Sequence, residues 1–339
     1  RDTQTDTREP ILMQTSTTQL SVAPGRPSWC SREIDRLRLS AGDARPLARH
    51  LLQTQWAIVD PAPATPSVFS RAVPLWHEFL QPSLVSGFRG LLRGWHTERP
   101  DNRYCSFTAS PGIEGAFGQT LEFAHHHCDI RDIAGIASSK HSEIPAVDLD
   151  RWIQQAWSHV GEMPITEFEP TWASARADLE RGRGFITVEQ YAWDGRLFLV
   201  NSDASHRFAT ARYLAGRSNR RLSIHCLLKR HEIRPEAVQR LLSRFDVFAV
   251  AADFPLSSVF DELAGRYLEA TWLWYPLPRP LADPLSHKPQ PRALFLPRGE
   301  RRSRAAARVL RRLGVTDLGA WFIKAVAHQR NTLPANSEP

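Results

Sequence analysis

A short segment of the chain, residues 201–207, combines polar side chains with a predicted helix start. The residues that could bind an anion there are Ser202, Asp203, Ser205, His206 and Arg207. A helix that begins near Asp203 leaves its first N–H groups without intrahelical partners, and these donors favour a negative charge. Arg207 can hold a phosphate through two parallel hydrogen bonds, and Ser205 and His206 can add further donors. The segment therefore predicts a site for an anion, with a phosphate group as its natural ligand.

A second interpretation of the same segment needs no ligand. In it, Asp203 or Ser205 only caps the helix. The basic pair His206 and Arg207 is then solvated or bound to an acidic side chain. The nearest acids, Asp203 and Glu189, are not marked as a catalytic base by their spacing. No catalytic residue is assigned, and the sequence leaves open whether the protein is an enzyme.

Arginine side chains recur on one side of a predicted helix at residues 300–313. The candidate nucleic-acid contacts are Arg301, Arg304, Arg308 and Arg311, and the apolar residues Ala306, Val309, Leu310 and Leu313 lie opposite them. A solvated arginine face explains this pattern, and the alternative is a surface that binds nucleic-acid phosphates. The net charge is +7, yet only four of the 43 basic residues are lysine. Because such a bias is typical of GC-rich genomes, nucleic acid is the less favoured partner but is not excluded.

The run of histidines at residues 125–127, followed by Cys128 and Asp129, raises the question of a metal site. Alternation along a strand would put His125 and His127 on one face, but tetrahedral zinc needs further ligands from a second element. No recognised zinc spacing occurs, so no metal is predicted. The four cysteines are widely spaced without a CxxC pair, which excludes a zinc ribbon and indicates a reducing compartment.

Several common classes of protein lose support from the sequence. It contains no GxSxG, Walker A, GxGxxG or HExxH pattern, which disfavours the usual hydrolases, P-loop proteins, Rossmann enzymes and metalloproteases. No run approaches the ~18 apolar residues of a membrane span. We therefore expect a soluble, cytoplasmic protein without a membrane partner, and the sequence does not indicate its oligomeric state.

The elements around residues 201–207 are the most regular part of the sequence. β-forming residues flank Asp194-Gly195 and predict a hairpin over residues 185–200 with a two-residue type I′ turn. Apolar spacing predicts an earlier helix at residues 151–160 with Asp150 as its N-cap. The other predicted elements are helices at 208–215, 235–245, 257–267 and 300–313, strands at 221–228, 247–252 and 293–296, and a last structured segment at 315–327.

The segment from Asp194 to Gly216 resembles the signature of the ParB/sulfiredoxin-like superfamily. Residues 204–211, Ala-Ser-His-Arg-Phe-Ala-Thr-Ala, match the family's Gly-(Ser/His)-His-Arg form, with alanine in place of the glycine. The resemblance covers roughly residues 140–230 and implies that the loop and the helix N-terminus hold nucleotide phosphates. A nucleotide-binding site is therefore expected there, with a nucleoside triphosphate as the candidate cofactor. A second stretch, residues 298–307 (Arg-Gly-Glu-Arg-Arg-Ser-Arg-Ala-Ala-Ala), is closer in its letters to the arginine box of the partition proteins, although a proline-rich stretch replaces the upstream hairpin.

Departures from the superfamily pattern narrow the chemistry that the resemblance implies. Ser205 stands where the sulfiredoxins use a cysteine, and a serine lacks the thiolate needed for sulfinic-acid repair. The partition proteins use a glutamate at that position, so nucleotide hydrolysis by their mechanism is not implied either. The resemblance implies a divergent bacterial member of the superfamily, with a non-catalytic member of the fold as a further alternative.

The predicted architecture is α/β, with a ParB/sulfiredoxin-like core of hairpin–helix–strand units, a helical N-terminal region and a C-terminal α/β extension. The predicted boundaries are a disordered tail at 1–28, a mostly helical region at 29–120, the core at 121–255, the extension at 256–330 and a tail at 331–339. Two functions are expected from these parts. One is phosphate or nucleotide binding by the core, and the alternative is DNA binding or organisation by the helix at 300–313.

Overall fold

The structure, a computed structural model, describes residues 59–62, 67–82, 90–98, 103–181, 185–200, 204–250, 271–282 and 290–332. Within these residues, ten strands form two five-stranded sheets and six α-helices pack against them. This confirms the predicted mixed α/β class. In the same residues no helix combines the length and apolar character needed to cross a membrane.

The elements are numbered in chain order. The strands are β1 (Leu92–Glu98), β2 (Arg103–Ala109), β3 (Gly118–Asp129), β4 (Ile133–Ile136), β5 (Ile186–Tyr191), β6 (Leu197–Val200), β7 (Ser223–Ile233), β8 (Phe245–Val250), β9 (Trp272–Pro276) and β10 (Arg292–Pro297). The α-helices are α1 (Leu149–Ala156), α2 (Phe168–Glu180), α3 (Ser205–Arg217), α4 (Pro235–Arg244), α5 (Arg301–Arg312) and α6 (Leu318–Asn331).

The two sheets take their strands from different parts of the chain. The first has the order β3-β7-β5-β6-β4, and the second has the order β2-β1-β9-β10-β8. In the first sheet β7 pairs antiparallel with β3 and parallel with β5. The β5–β6 pair is antiparallel and the β4–β6 pair is parallel. All neighbours in the second sheet are antiparallel, so strands from both ends of the described chain meet there.

Each face of the first sheet is buried over much of its area by a different layer. Helices α1, α2 and α3 cover one face, where Trp152, Phe168 and Phe208 pack with Val188 and Leu228 of the sheet. The opposite face joins α4, α6 and the second sheet in one apolar core. The largest fully buried aromatic residues of that core are Trp76, Phe79, Phe117, Phe198, Phe295 and Phe322.

The predicted hairpin is confirmed, but the prediction of a two-residue turn is wrong. The last cross-strand pair is Gln190 with Leu197, so a longer connection replaces the expected pairing of residues 193 and 196. The N–H groups of Asp194 and Gly195 both donate to the Tyr191 carbonyl, at 2.9 and 2.8 Å. The turn widens because Trp193 points into the core, where it is 8% exposed. Gly195 does have the positive φ, +82°, that the turn residues predicted.

The predicted helices that lie within the described residues are confirmed in place but not in their limits. Asp148, and not Asp150, caps α1, because the Asp148 backbone is extended and its carboxylate accepts from the Arg151 N–H at 2.8 Å. Asp150 lies inside α1 and binds Arg212 of α3 instead. The helix ends at Ala156 and a 3-10 helix, Ser158–Glu162, follows it.

The mostly helical region predicted at residues 29–120 is wrong over its described part. That part contains β1 and β2 with two short 3-10 helices, Ser70–Ala72 and Trp76–Glu78. Leu92 begins β1 and is buried while the neighbouring Arg93 is exposed, which is the alternation of a strand. The strand forms because β1 pairs with β9 from the C-terminal region, and such a long-range ladder outweighs local helical spacing.

The predicted boundary at residue 255 does not separate the two sheets. β8 precedes that residue but belongs to the second sheet, so the first sheet takes its last strand from β7. In the predicted C-terminal extension, α6 continues to Asn331, beyond the predicted limit of 327. The predicted tail at 1–28 and the predicted helix at 257–267 lie outside the described residues.

A buried arginine fastens the last helix to the first sheet. The side chain of Arg230 on β7 is 0% exposed, and its Nε donates to Glu232 at 2.6 Å. Its terminal nitrogens donate to Gln190 and to the main-chain carbonyls of Gln329 and Thr332 at the end of α6. A charge taken out of water is stable only when it is paired and hydrogen-bonded, and here it is both.

We predict that Arg230→Met lowers the free energy of unfolding by about 3–5 kcal/mol, because the groups that Arg230 binds lose their buried partner. Urea unfolding followed by circular dichroism measures the change. The matched control is Arg176→Met, whose exposed ion pair with Glu180 on α2 is expected to contribute about 0.5 kcal/mol or less. Equal losses in the two variants would contradict the role assigned to Arg230.

Candidate functional site

The segment predicted to bind phosphate is described only from residue 204 onwards. Ser202 and Asp203 lie outside the described residues. α3 begins at Ser205, and its N-cap residue, Ala204, offers no side-chain acceptor to the first turn. Ser205 is buried, His206 is partly exposed and Arg207 is exposed. The first turn of α3 therefore brings together three of the five predicted residues.

The His206 ring is packed among aromatic side chains. It stacks on Trp157 with a centroid distance of 5.2 Å and lies 5.2 Å from the Trp152 ring. The His141 ring meets its edge at 5.1 Å. Burial lowers the pKa of His206, with further contributions from His141 and Lys140. Its buried Nε2 atom has no hydrogen-bond partner among the described residues, so one polar atom of this turn is unsatisfied.

Arg207 is bound to an acidic side chain rather than directed at an open site. Its guanidinium pairs with Asp178 on α2, and the two side chains are 48% and 9% exposed. The other carboxylate oxygen of Asp178 accepts from Arg181 at 2.6 Å. The pairing of Arg207 with an acid is what the ligand-free interpretation of this segment expected.

The four predicted arginine contacts on α5 lie together in one place. We call Arg301, Arg304, Arg308 and Arg311 the arginine face. With Asp246 of β8 they line an open surface depression of ≈ 480 Å³. Their opposite side is buried, including Ala306, Val309 and Leu310, so the amphipathic pattern predicted for this helix is confirmed.

Asp246 fixes one end of the arginine face. Its carboxylate is 8% exposed, and Oδ1 accepts from Arg298 and from Arg311, both at 2.8 Å. Arg311 also donates through Nε to Asp317 at 2.7 Å. Burial alone would lower the pKa of Arg311, but the hydrogen bonds to Asp246 and Asp317 raise it. Arg311 is therefore held in one orientation by two carboxylates.

Two further arginines of the face, Arg304 and Arg308, are not neutralised in this way. Arg304 donates to the main-chain carbonyl of Arg298 at 2.8 Å, which leaves its charge uncompensated by that contact. Arg308 is exposed and contacts no acidic side chain among the described residues. Glu300, at the start of α5, is turned inward, where its carboxylate accepts from Ser303 and from the Thr271 N–H. The face therefore carries a positive charge that an anion can approach.

The side chains that line this depression are suited to binding a ligand. Its described lining contains guanidinium groups and one carboxylate that two arginines already occupy. It includes neither a serine or cysteine nucleophile nor a histidine that could act as a general base. The sequence identified the arginines by their helical spacing but missed Asp246 and Arg298. Asp246 could have been noticed in the sequence because it is a single acidic residue within the otherwise apolar stretch Phe245–Val250.

Two histidines of the 125–127 run, His125 and His127, both lie beside His225 of β7. His125 and His225 share a hydrogen bond of 3.1 Å, and the rings of His127 and His225 lie 5.0 Å apart. Among the described residues, no three His, Cys, Asp or Glu side chains are placed to hold a metal ion.

A second group of histidines, not identified from the sequence, is buried between the first sheet and the 3-10 helix Trp76–Glu78. The rings of His77 and His231 stack at 4.2 Å, and His231 shares a 2.9 Å hydrogen bond with Thr120. Burial and the neighbouring His231 lower the pKa of His77 to about 3. Burial and Lys229 lower the pKa of His231 to about 4. Both imidazoles are therefore neutral near pH 7 and belong to the packing of the core.

We predict that this pair makes the fold sensitive to acid. In the folded protein the pKa values of His77 and His231 are about 3 and about 4, below the ordinary value of 6.5. At any pH between these folded-state values and 6.5, the unfolded state therefore binds more protons than the folded state. The contribution of the two neutral imidazoles to the free energy of unfolding is complete above pH 6.5. It is lost as the pH falls through about 4 and about 3, at about 1.4 kcal/mol per pKa unit. Unfolding measured from pH 7 to pH 4.5 should show a shallower decline in His77→Gln than in the wild type. The exposed control, His159→Gln, should follow the wild type, and a His77→Gln curve parallel to it would argue against the assignment.

Comparison with known proteins assigns most of this chain to one family. Residues 123–335 match the family described as "Family of unknown function (DUF6685)". The matched region starts within β3 and includes both α3 and the arginine face. No curated protein and no solved structure matches the chain. The resemblance to the ParB/sulfiredoxin-like superfamily therefore stays a prediction.

Proposed function

Because the chain belongs to DUF6685, a family of unknown function, its role must be argued from its own residues, and we propose that it binds a phosphate-bearing anion at the arginine face. The observation that carries the proposal is the depression of ≈ 480 Å³ that four arginines line. Guanidinium groups hold phosphate oxygens through paired, charge-assisted hydrogen bonds. The proposal is one of binding, and no reaction is assigned.

The charge balance of the depression supports an anionic ligand. Asp246 is the one acidic side chain in the described lining, and Arg298 and Arg311 already bind it. Arg304 and Arg308 are exposed and have no acidic partner among the described residues. These two arginines are therefore the groups that a phosphate would contact first. Arg311 binds both Asp246 and Asp317, so these two carboxylates do not neutralise Arg304 or Arg308.

We predict that Arg304→Ala with Arg308→Ala weakens the binding of inorganic tripolyphosphate by at least tenfold, since one charge-assisted hydrogen bond contributes about 1.5–3 kcal/mol. Isothermal titration calorimetry at low salt measures the affinity. The matched control removes two arginines elsewhere, Arg151 on α1 and Arg176 on α2, and changes the net charge equally. An equal loss in both double variants would show that only the overall charge matters, and the proposal would fail.

The first turn of α3 provides a second candidate function, nucleotide binding. The observation that favours it is that α3 begins without a side-chain cap while the buried Nε2 of His206 has no hydrogen-bond partner among the described residues. A phosphate at this helix start would be close to unsatisfied N–H groups and to the positive end of the helix dipole. In this proposal Arg207 exchanges its contact with Asp178 for the ligand.

Two substitutions distinguish nucleotide binding by Arg207 from a purely structural ion pair between Arg207 and Asp178. If Arg207 contacts a nucleotide, Arg207→Ala should weaken CTP or ATP binding about tenfold or more, while Asp178→Asn, which frees Arg207, should not weaken it. Titration calorimetry with CTP, ATP and inorganic phosphate measures both. Unchanged nucleotide affinity in the two variants, together with lowered melting temperatures, would leave only the structural role. The control is Arg304→Ala with Arg308→Ala. Nucleotide binding that this variant weakens takes place at the arginine face and not at the first turn of α3.

A further inference from the structure

We infer that the anion bound by the arginine face is the phosphate backbone of a nucleic-acid duplex, contacted without reading of the bases; this inference rests on the phosphate binding proposed above. The face is a linear array, because its arginines are separated by three, four and three residues along α5. At the helical rise of 1.5 Å per residue, the array is about 15 Å long. A single phosphate or a mononucleotide could contact only part of such an array. A polymer with regularly spaced charges can contact all of it.

The spacing of phosphates in a duplex suits this length. Each strand of B-form DNA presents one phosphate for every 3.4 Å of helix axis. Because the strand also winds around that axis, neighbouring phosphates are farther apart than this rise, and an array of about 15 Å can span more than one of them. Successive arginines of the face are about 4.5–6 Å apart along the axis of α5. This permits contacts with neighbouring phosphates along one strand without any bending of the ligand.

The chemistry of the lining favours a backbone over exposed bases. Single-stranded nucleic acids are held by aromatic side chains on which the bases stack, in addition to basic groups. The described lining of the depression contains four arginines and Asp246, and no aromatic side chain. Phe248 lies beneath Arg311, at 5.4 Å from the guanidinium carbon, but its ring is fully buried. A base therefore finds no platform there.

Base reading by Arg311 is disfavoured by the way in which its side chain is held. Arg311 is tied to Asp246 and Asp317, which keeps its guanidinium at the protein surface. Reading a base edge requires a side chain that extends into a groove, whereas contacts with phosphates need only a basic surface. We therefore expect binding that depends little on sequence.

The basic surface also continues beyond α5. The N–H of Arg298 donates to the carbonyl of Arg244 at 2.8 Å, which joins the start of the face to the end of α4. The side chains of Arg244 and Arg298 are both exposed, and Arg298 is 43% exposed. Arg298 itself binds Asp246, so the surface next to the face adds exposed arginine side chains but no unpaired charge from Arg298.

The inference is tested with fluorescently labelled ligands and the full chain. The probes are a DNA duplex about two helical turns long in two unrelated sequences, a single strand of equal length, and polyglutamate of matched charge. Anisotropy titrations over a series of salt concentrations give the affinity and its salt dependence. We expect both duplexes to bind equally and more tightly than the single strand or polyglutamate. Arg304 and Arg308 are expected to neutralise one phosphate each, so together they contribute about −1.8 to the slope of log K against log salt, and Arg304→Ala with Arg308→Ala removes that contribution. The Arg151 and Arg176 double variant should keep the wild-type slope.

The outcomes separate this inference from the proposed phosphate binding. If tripolyphosphate binds through Arg304 and Arg308 but the duplex does not, the anion site stands and the duplex inference fails. Tighter binding of the single strand, equal binding of polyglutamate, or a strong preference between the two duplex sequences would also overturn it. If neither tripolyphosphate nor duplex responds to the double variant, both proposals fail together.

Discussion

The buried guanidinium of Arg230 is the polar contact that attaches the last helix, α6, to the first sheet. It lies in β7 of the first sheet and binds main-chain carbonyls at the end of α6. Gln329 of α6 completes the attachment, because its side-chain amide exchanges two hydrogen bonds with the backbone of Ile233. From this anchor α6 runs back about 21 Å, at 1.5 Å per residue, over the apolar core that it shares with the second sheet.

The other end of α6 takes part in the candidate site. Asp317 caps the helix by accepting from the Ala320 N–H at 2.9 Å, and its second oxygen accepts from Arg311. Arg311 in turn binds Asp246 on β8. One helix therefore connects the buried Arg230 at its C-terminal end to the arginine face at its N-terminal end. The orientation of Arg311 follows from packing in the core. A substitution in the core can therefore change the arginine face even when the substituted residue does not contact it.

Local signals in the sequence predicted the parts of the fold that depend on neighbouring residues. The β5–β6 hairpin, α3 and the amphipathic α5 were found because their patterns repeat within a few residues. β1 and β2 were missed because β1 is completed by β9, whose residues, such as Trp272, are distant in sequence. The wide turn at Asp194 was missed for a similar reason, since the burial of Trp193 depends on His77 from another element.

The candidate site shows why a motif alone does not identify an anion site. His206 and Arg207 follow the pattern of a phosphate-binding helix start, yet Arg207 meets Asp178 from α2, a helix that local patterns did not predict. On α5 the two nearby carboxylates, Asp246 and Asp317, both bind Arg311, and Arg304 and Arg308 remain without an acidic partner among the described residues. An arginine can serve an external anion only when the acids that surround it in the fold are already bound to other groups. That balance is set by tertiary contacts, and it favours the arginine face over the first turn of α3.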